Sequence, residues 1–150
     1  MSNDKILYID ATNQILGRLA SIIAKKLLEG YRVIVVNAEK AVVSGERLRV
    51  IVGYKLIEKV KTHYNPYKHG IRRPKSPHNI FKRTVRGMLP IDKPKGRNAY
   101  KRLRVYIGVP PELSNKEFIR FSEADASRLG HEYITLGEIA KELGWKGVRK

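Results

Sequence analysis

No cysteine occurs in the 150 residues, so disulfides and thiolate metal sites are excluded and nothing points to an oxidising compartment. No apolar run approaches the roughly 18 residues that a membrane span requires. The start, MSNDKILYID, lacks the basic-then-apolar order of a secretory leader. The chain is therefore expected to be soluble and cytoplasmic, with no membrane partner. Between residues 55 and 104 the only acids are Glu58 and Asp92, which leaves little for paired-carboxylate chemistry. Gly17 stands alone after the first apolar run, so the glycine-rich dinucleotide and phosphate-loop patterns are missing, although Glu39 has the position of a ribose-binding acid. His63, His69, His78 and His131 lack metal-ligand spacing. Ser44 has no nucleophile-elbow context. GWKG at Gly144 to Gly147 has the outline of a GxxG loop, but it lies at the chain end rather than between two helices. These absences predict a protein that is not an enzyme and needs no metal and no cofactor.

What the chain has in excess is positive charge. The net charge is +17, and a charge of that size in one small domain opposes compaction unless an anionic partner offsets it. Residues 1–54 carry eight Lys/Arg against five Asp/Glu, residues 55–104 sixteen against two, and residues 105–150 seven against seven. A solvated surface would mix both signs, so this block predicts a polyanion. With 42% apolar residues the chain suffices for one core, and residues 1–150 are read as a single domain with a basic segment at about 62–104.

The first half reads as an α/β unit. KILYID (Lys5 to Asp10) is a strand of the kind buried on both faces, followed by a helix with Asp10, Thr12 or Asn13 as cap and Gly30 as stop. In that helix Leu16, Leu19, Ala20, Ile23, Ala24, Leu27 and Leu28 recur at three- and four-residue spacing. VIVVN (Val33 to Asn37) is a second strand, and the order strand, helix, strand predicts a right-handed crossover into a parallel sheet. A second helix, capped by Ser44, has Leu48, Ile51, Val52, Leu56 and Val60 as its inner stripe. From Thr62, prolines and Gly70 predict a long extended loop without a regular element, and residues 63–79 are expected to order on binding. Ser76 and Pro77 then open a helix that ends before Pro90, with Phe81, Val85 and Met88 on one side. A short basic helix around Asn98 to Leu103 leads to a strand at Arg104 to Val109, and Thr135 caps the last helix.

Cations interleaved with aromatic side chains suit a surface that tracks a phosphate backbone and stacks splayed bases, which favours RNA. The candidate contacts are Lys68, His69, Arg72, Arg73 and Lys75 in the loop, Lys82, Arg83 and Arg86 on the helix, and Lys93, Lys95, Arg97, Lys101 and Arg102 beyond it. Tyr64, Tyr67 and Arg18 are candidate stacking or contact residues, whereas Phe81 and Tyr100 read as core.

The segments IDATNQILGRLASIIAKKLLEG, VIVVNAEKAVVSG, SPHNIFKRTVRGMLP and KPKGRNAYKRLRVYIGVP, in that order over about the first 110 residues, resemble the large-subunit ribosomal protein L-thirteen family in its archaeal and eukaryotic form. The ending ITLGEIAKELGW is similar to the archaeal form. The resemblance implies a three-layer α/β/α fold with a small, mainly parallel sheet and a long basic loop-helix insertion. It implies a structural constituent of the large ribosomal subunit, a monomer within the ribosome, that binds large-subunit ribosomal RNA beside neighbouring ribosomal proteins and takes part in early subunit assembly. By the match, Arg83, Arg86, Lys93, Lys95 and Arg97 carry over as RNA contacts, and Asp10, Gly17 and Arg18 as motif residues.

Overall fold

The computed structural model describes residues 5–148. Strand β1 (Ile6–Asp10), helix α1 (Leu16–Leu28) and strand β2 (Arg32–Val36) follow in the expected order, with β1 and β2 parallel. Strand β3 (Val42–Ser44) and helix α2 (Arg47–Lys55) follow, then one turn of helix α3 (Pro66–His69), α4 (Pro77–Gly87) and α5 (Pro94–Lys101). Strand β4 (Leu103–Val105), strand β5 (Tyr133–Thr135) and helix α6 (Leu136–Glu142) complete the order. The main sheet runs β1-β2-β4, all parallel, and β3 pairs antiparallel with β5. The α/β class and the small, mainly parallel sheet are thus as expected.

Register shows which face of the sheet is core. Leu7, Val33 and Leu103 align across the three strands, as do Ile9, Val35 and Val105, and all but the half-buried Leu7 are buried. Helices α1 and α4 pack against each other and against β2 and β4, closing one continuous core around Phe81, Leu19, Ile23 and Leu27. The alternate row, Tyr8, Ile34 and Arg104, is only half-buried or exposed. Tyr8 there meets Phe118 edge to face, with centroids 6.2 Å apart. β1 is therefore buried on one face, not two. Its near-continuous apolar run reflects a second face that a loop, rather than a helix, partly covers. Helices α2 and α6 pack on each other around the β3–β5 pair.

Helix α1 does not take a side-chain cap from Asp10, Thr12 or Asn13. Ile15 is its N-cap, and the Ile15 N–H donates instead to the Ala124 carbonyl at 2.6 Å. The charge-balanced segment after β4 thus comes back to brace the start of the fold. Ile119 lies beside β1, donating to Tyr8 O and accepting from Asp10 N, and the buried Gln14 Oε1 accepts from Phe121 N at 3.1 Å. Gly30 ends α1 at φ +102°, as expected of a glycine stop.

Five further expectations change. Ser44 ends β3, and Glu46 is the N-cap of α2 without a side-chain cap bond. Of the stripe expected to face inward on α2 and beyond, only Ile51 is buried; Leu48, Val52, Leu56 and Val60 are each more than half exposed. The helix is held on its other side, where Arg47 pairs with Glu138 at 3.3 Å and Glu142 at 3.1 Å on α6. The middle loop is interrupted by α3, whose cap Asn65 sits in the left-handed region and accepts from the Lys68 N–H. Met88, placed on the inner side of α4 by spacing, lies past the helix end and is exposed, and Ile80 takes its place in the core. Helix α5 starts four residues earlier than its charge pattern suggested, because Pro94 occupies its first turn. Thr135 caps α6 as expected, accepting from the Glu138 N–H at 3.4 Å.

Candidate nucleic-acid interface

The arrangement starts from α4. Ile80, Phe81 and Val85 are buried and fix the rotation of the helix, so Arg83 and Arg86 stand outward. The 71–75 loop runs alongside, tied by Arg83 Nη2 donating to Arg72 O at 3.4 Å. Arg72, Arg73, Arg83 and Arg86 border one hollow of about 420 Å³. Among the described residues none of these four arginines has a carboxylate partner. The hollow shares Ile71, Arg72, Arg73 and Arg83 with a larger groove of about 670 Å³, whose walls add Tyr54, Ile57, Ile80 and Leu143. Glu58 is the one carboxylate in that lining, 3.8 Å from Lys75 Nζ.

Other predicted residues form separate surfaces. Around α3, Lys68 and His69 are exposed, His69 stacks on Tyr64 at 5.2 Å and 28°, and Tyr67 is 94% exposed. That is an open aromatic surface beside cations. Lys93, Lys95, Arg97 and Lys101 are exposed at the turn into α5 and along it, with Arg97 Nη2 held on Asp92 O at 3.1 Å. Lys95 borders a shallow hollow shared with Lys25 of α1 and the exposed Met88. Arg18 is exposed on the first turn of α1.

Two candidates are turned toward the fold. Arg102 is half-buried and its Nη2 donates to Leu27 O, satisfying a carbonyl at the end of α1. Lys82 is half-buried with Nζ 5.4 Å from the Tyr100 ring centroid, a cation-π contact that joins α4 to α5. His78, at the start of α4, is held below the usual imidazole range first by burial and then by the charge of Lys82.

Charge counting missed the node that anchors the sheet end. Asp10 accepts from Thr12 N at 3.0 Å, Thr12 Oγ1 at 2.7 Å, Asn37 Nδ2 at 3.1 Å, and Arg120 Nε and Nη2 at 3.1 and 2.8 Å. Burial alone would raise its pKa, but the hydrogen bonds from Thr12, then Asn37 and Arg120, hold it at about 2. Glu39, in the ribose-acid position, instead accepts from the Gly108 N–H at 3.0 Å and fastens a loop. Nothing local in the sequence marks Arg120 as the partner of Asp10, and two of the groove's apolar walls, Tyr54 of α2 and Leu143 just past α6, lie outside the basic block. Among the described residues, no three His, Asp or Glu are placed to hold a metal ion, and no helix is long and apolar enough to cross a membrane.

Residues 4–112 match the family model described as ribosomal protein L13. The large ribosomal subunit protein uL13 of Sulfolobus acidocaldarius is 56% identical over 143 residues, covering 95% of this chain and 96% of that protein. The protein of that name from Saccharolobus solfataricus is 53% identical over 144 residues, 96% of both chains. That from Archaeoglobus fulgidus is 46% identical over 148 residues, covering 97% of this chain and 92% of that protein.

Proposed function

Since the chain belongs to the ribosomal protein L13 family, we propose that it is a structural, non-enzymatic constituent of the large ribosomal subunit that binds large-subunit ribosomal RNA through its middle third. The observation that carries this reading is the hollow bordered by Arg72, Arg73, Arg83 and Arg86. Four like charges without carboxylate partners repel one another until an anion lies between them. Guanidinium forks fit phosphate oxygens in two-point contacts, so a folded RNA backbone is the anion this surface suits. The exposed surfaces around α3 and along α5 extend the contact, and the core beneath α4 fixes the orientation of its arginines, which lets the protein select a shape of RNA rather than a net charge.

In this reading the protein acts as a monomer in the ribosome of the cytoplasm, beside other large-subunit proteins, and stabilises its RNA site early in assembly. Within the loop at 63–79, residues 63–73 are exposed except for the half-buried Gly70. The loop's amides gain exchange protection when the RNA binds.

The test is filter binding of purified protein to large-subunit ribosomal RNA across a salt titration. Roughly five to eight phosphate contacts give a log-log slope of about −4 to −7. A slope near zero, or equal affinity for duplex DNA at matched salt, would reject the reading. Co-sedimentation with the large subunit through a high-salt gradient checks the same assignment in the particle.

A further inference from the structure

The groove beside α4 contains more than a phosphate site requires. Phosphate asks only for donors and positive charge, which Arg72, Arg73 and Arg83 supply at its rim. Its walls are nevertheless apolar, formed by Ile57, Ile71, Ile80 and Leu143, with the aromatic ring of Tyr54 among them. Its volume of about 670 Å³ falls within the roughly 300–1,000 Å³ typical of pockets that take a small organic ligand. It also contains Glu58, whose carboxylate would repel a phosphate. The Lys75 ammonium at 3.8 Å is beyond hydrogen-bond distance and leaves the Glu58 oxygens able to accept.

Apolar walls, an aromatic ring, an acceptor and a cationic rim together match a nucleotide rather than a bare backbone. The flat base goes against the walls, its N–H groups point to the carboxylate, and the flanking phosphates meet the guanidinium groups. Among the four bases, guanine presents two parallel donors, N1–H and the N2 amino group, to the two oxygens of a carboxylate. Adenine and cytosine offer one amino group on that edge, and uracil one ring N–H. We propose that this groove holds one unstacked guanine nucleotide of the bound RNA, with Glu58 accepting from the base and Arg72, Arg73 and Arg83 taking its phosphates. The proposal rests on the RNA-binding reading above and adds base selection at one position to it.

The experiment uses the full-length protein and labelled RNA pentamers of sequence UUGUU, UUAUU, UUCUU and UUUUU, followed by fluorescence anisotropy at matched salt. The guanine pentamer should bind about fivefold or more tightly than the others, the discrimination expected of one two-point base contact. Glu58→Gln should remove the preference while leaving the salt dependence unchanged. Thr84→Phe, which fills the groove from its α4 side without altering any charge, should lower UUGUU to the affinity of UUUUU. Free guanosine monophosphate at the pentamer concentration should displace none of it. Full displacement would assign the groove to a free nucleotide and overturn the RNA form of the proposal. Equal or undetectable binding of all four pentamers, alongside salt-dependent binding of ribosomal RNA, would reject the nucleotide site and leave the parent reading standing. Absence of salt-dependent ribosomal RNA binding would reject both.

Discussion

Arg120 grips Asp10 through two donors, Nε at 3.1 Å and Nη2 at 2.8 Å from the same carboxylate oxygen, although 110 positions separate them in the chain. The pair joins the end of β1 to the segment that braces α1. Asp10 therefore stabilises the fold only while ionised. Its pKa is about 2 in the folded protein against an ordinary 3.8, so the contribution is fully present above about pH 4 and is lost as pH falls through about 2. The shift corresponds to about 2 kcal/mol for a side chain that is 14% exposed. Urea unfolding of wild type and Asp10→Asn should show a gap of that order at pH 7 that closes toward pH 2. A gap independent of pH would contradict the assignment. Arg120→Ala should cost less, about 1 kcal/mol, because the guanidinium is 56% exposed and partly screened.

Truncation should separate the real core from the apparent one. Phe81→Ala removes a fully buried ring between α4 and α1 and should cost about 3–5 kcal/mol. Leu48→Ala and Val52→Ala should each change stability by no more than about 0.5 kcal/mol, as 68% and 55% exposed side chains. Chemical denaturation measures all three. A Leu48→Ala loss comparable to that of Phe81→Ala would mean that the stripe is covered.

That contrast also marks what was legible from the residues alone. Helical spacing marks α1 and, at Phe81 and Val85, the buried side of α4, because each has one apolar face and a full set of neighbours. The same spacing failed on α2, since periodicity shows that a face exists but not what covers it. The β3–β5 pair escaped notice because each strand has three residues, and its partners are about ninety positions apart. Both errors concern long-range contacts, which leave no local signature.

Gly96 places α5 against the turn after α4. A Cβ there would run into the carbonyl of Pro90, which is backbone and cannot rotate aside. Gly96→Ala should therefore push α5 outward and cost about 1–3 kcal/mol. Neighbouring Asn98→Ala, at an exposed site, should be near neutral. A thermal melt of the two variants compares them, and equal melting temperatures would show that the turn yields.

Charge alone does not distinguish a cation that meets RNA from one that holds the fold, and Arg83 and Arg102 make the difference measurable. Both belong to the basic block, but Arg83 is exposed at the hollow, whereas Arg102 is half-buried against the last turn of α1. Arg83→Ala should leave stability within about 0.5 kcal/mol of wild type. It should reduce the magnitude of the salt slope by about one, as expected for one lost phosphate contact. Arg102→Ala should do the reverse, costing about 1–2 kcal/mol through the lost hydrogen bond to Leu27 O while the salt slope of the folded protein stays the same. In the sequence the two are alike, because guanidinium charge is visible there and the carbonyl that faces it is not. If Arg102→Ala reduced the slope and left stability untouched, its inward hydrogen bond would have to give way when RNA binds, and the basic surface would extend over the end of α1.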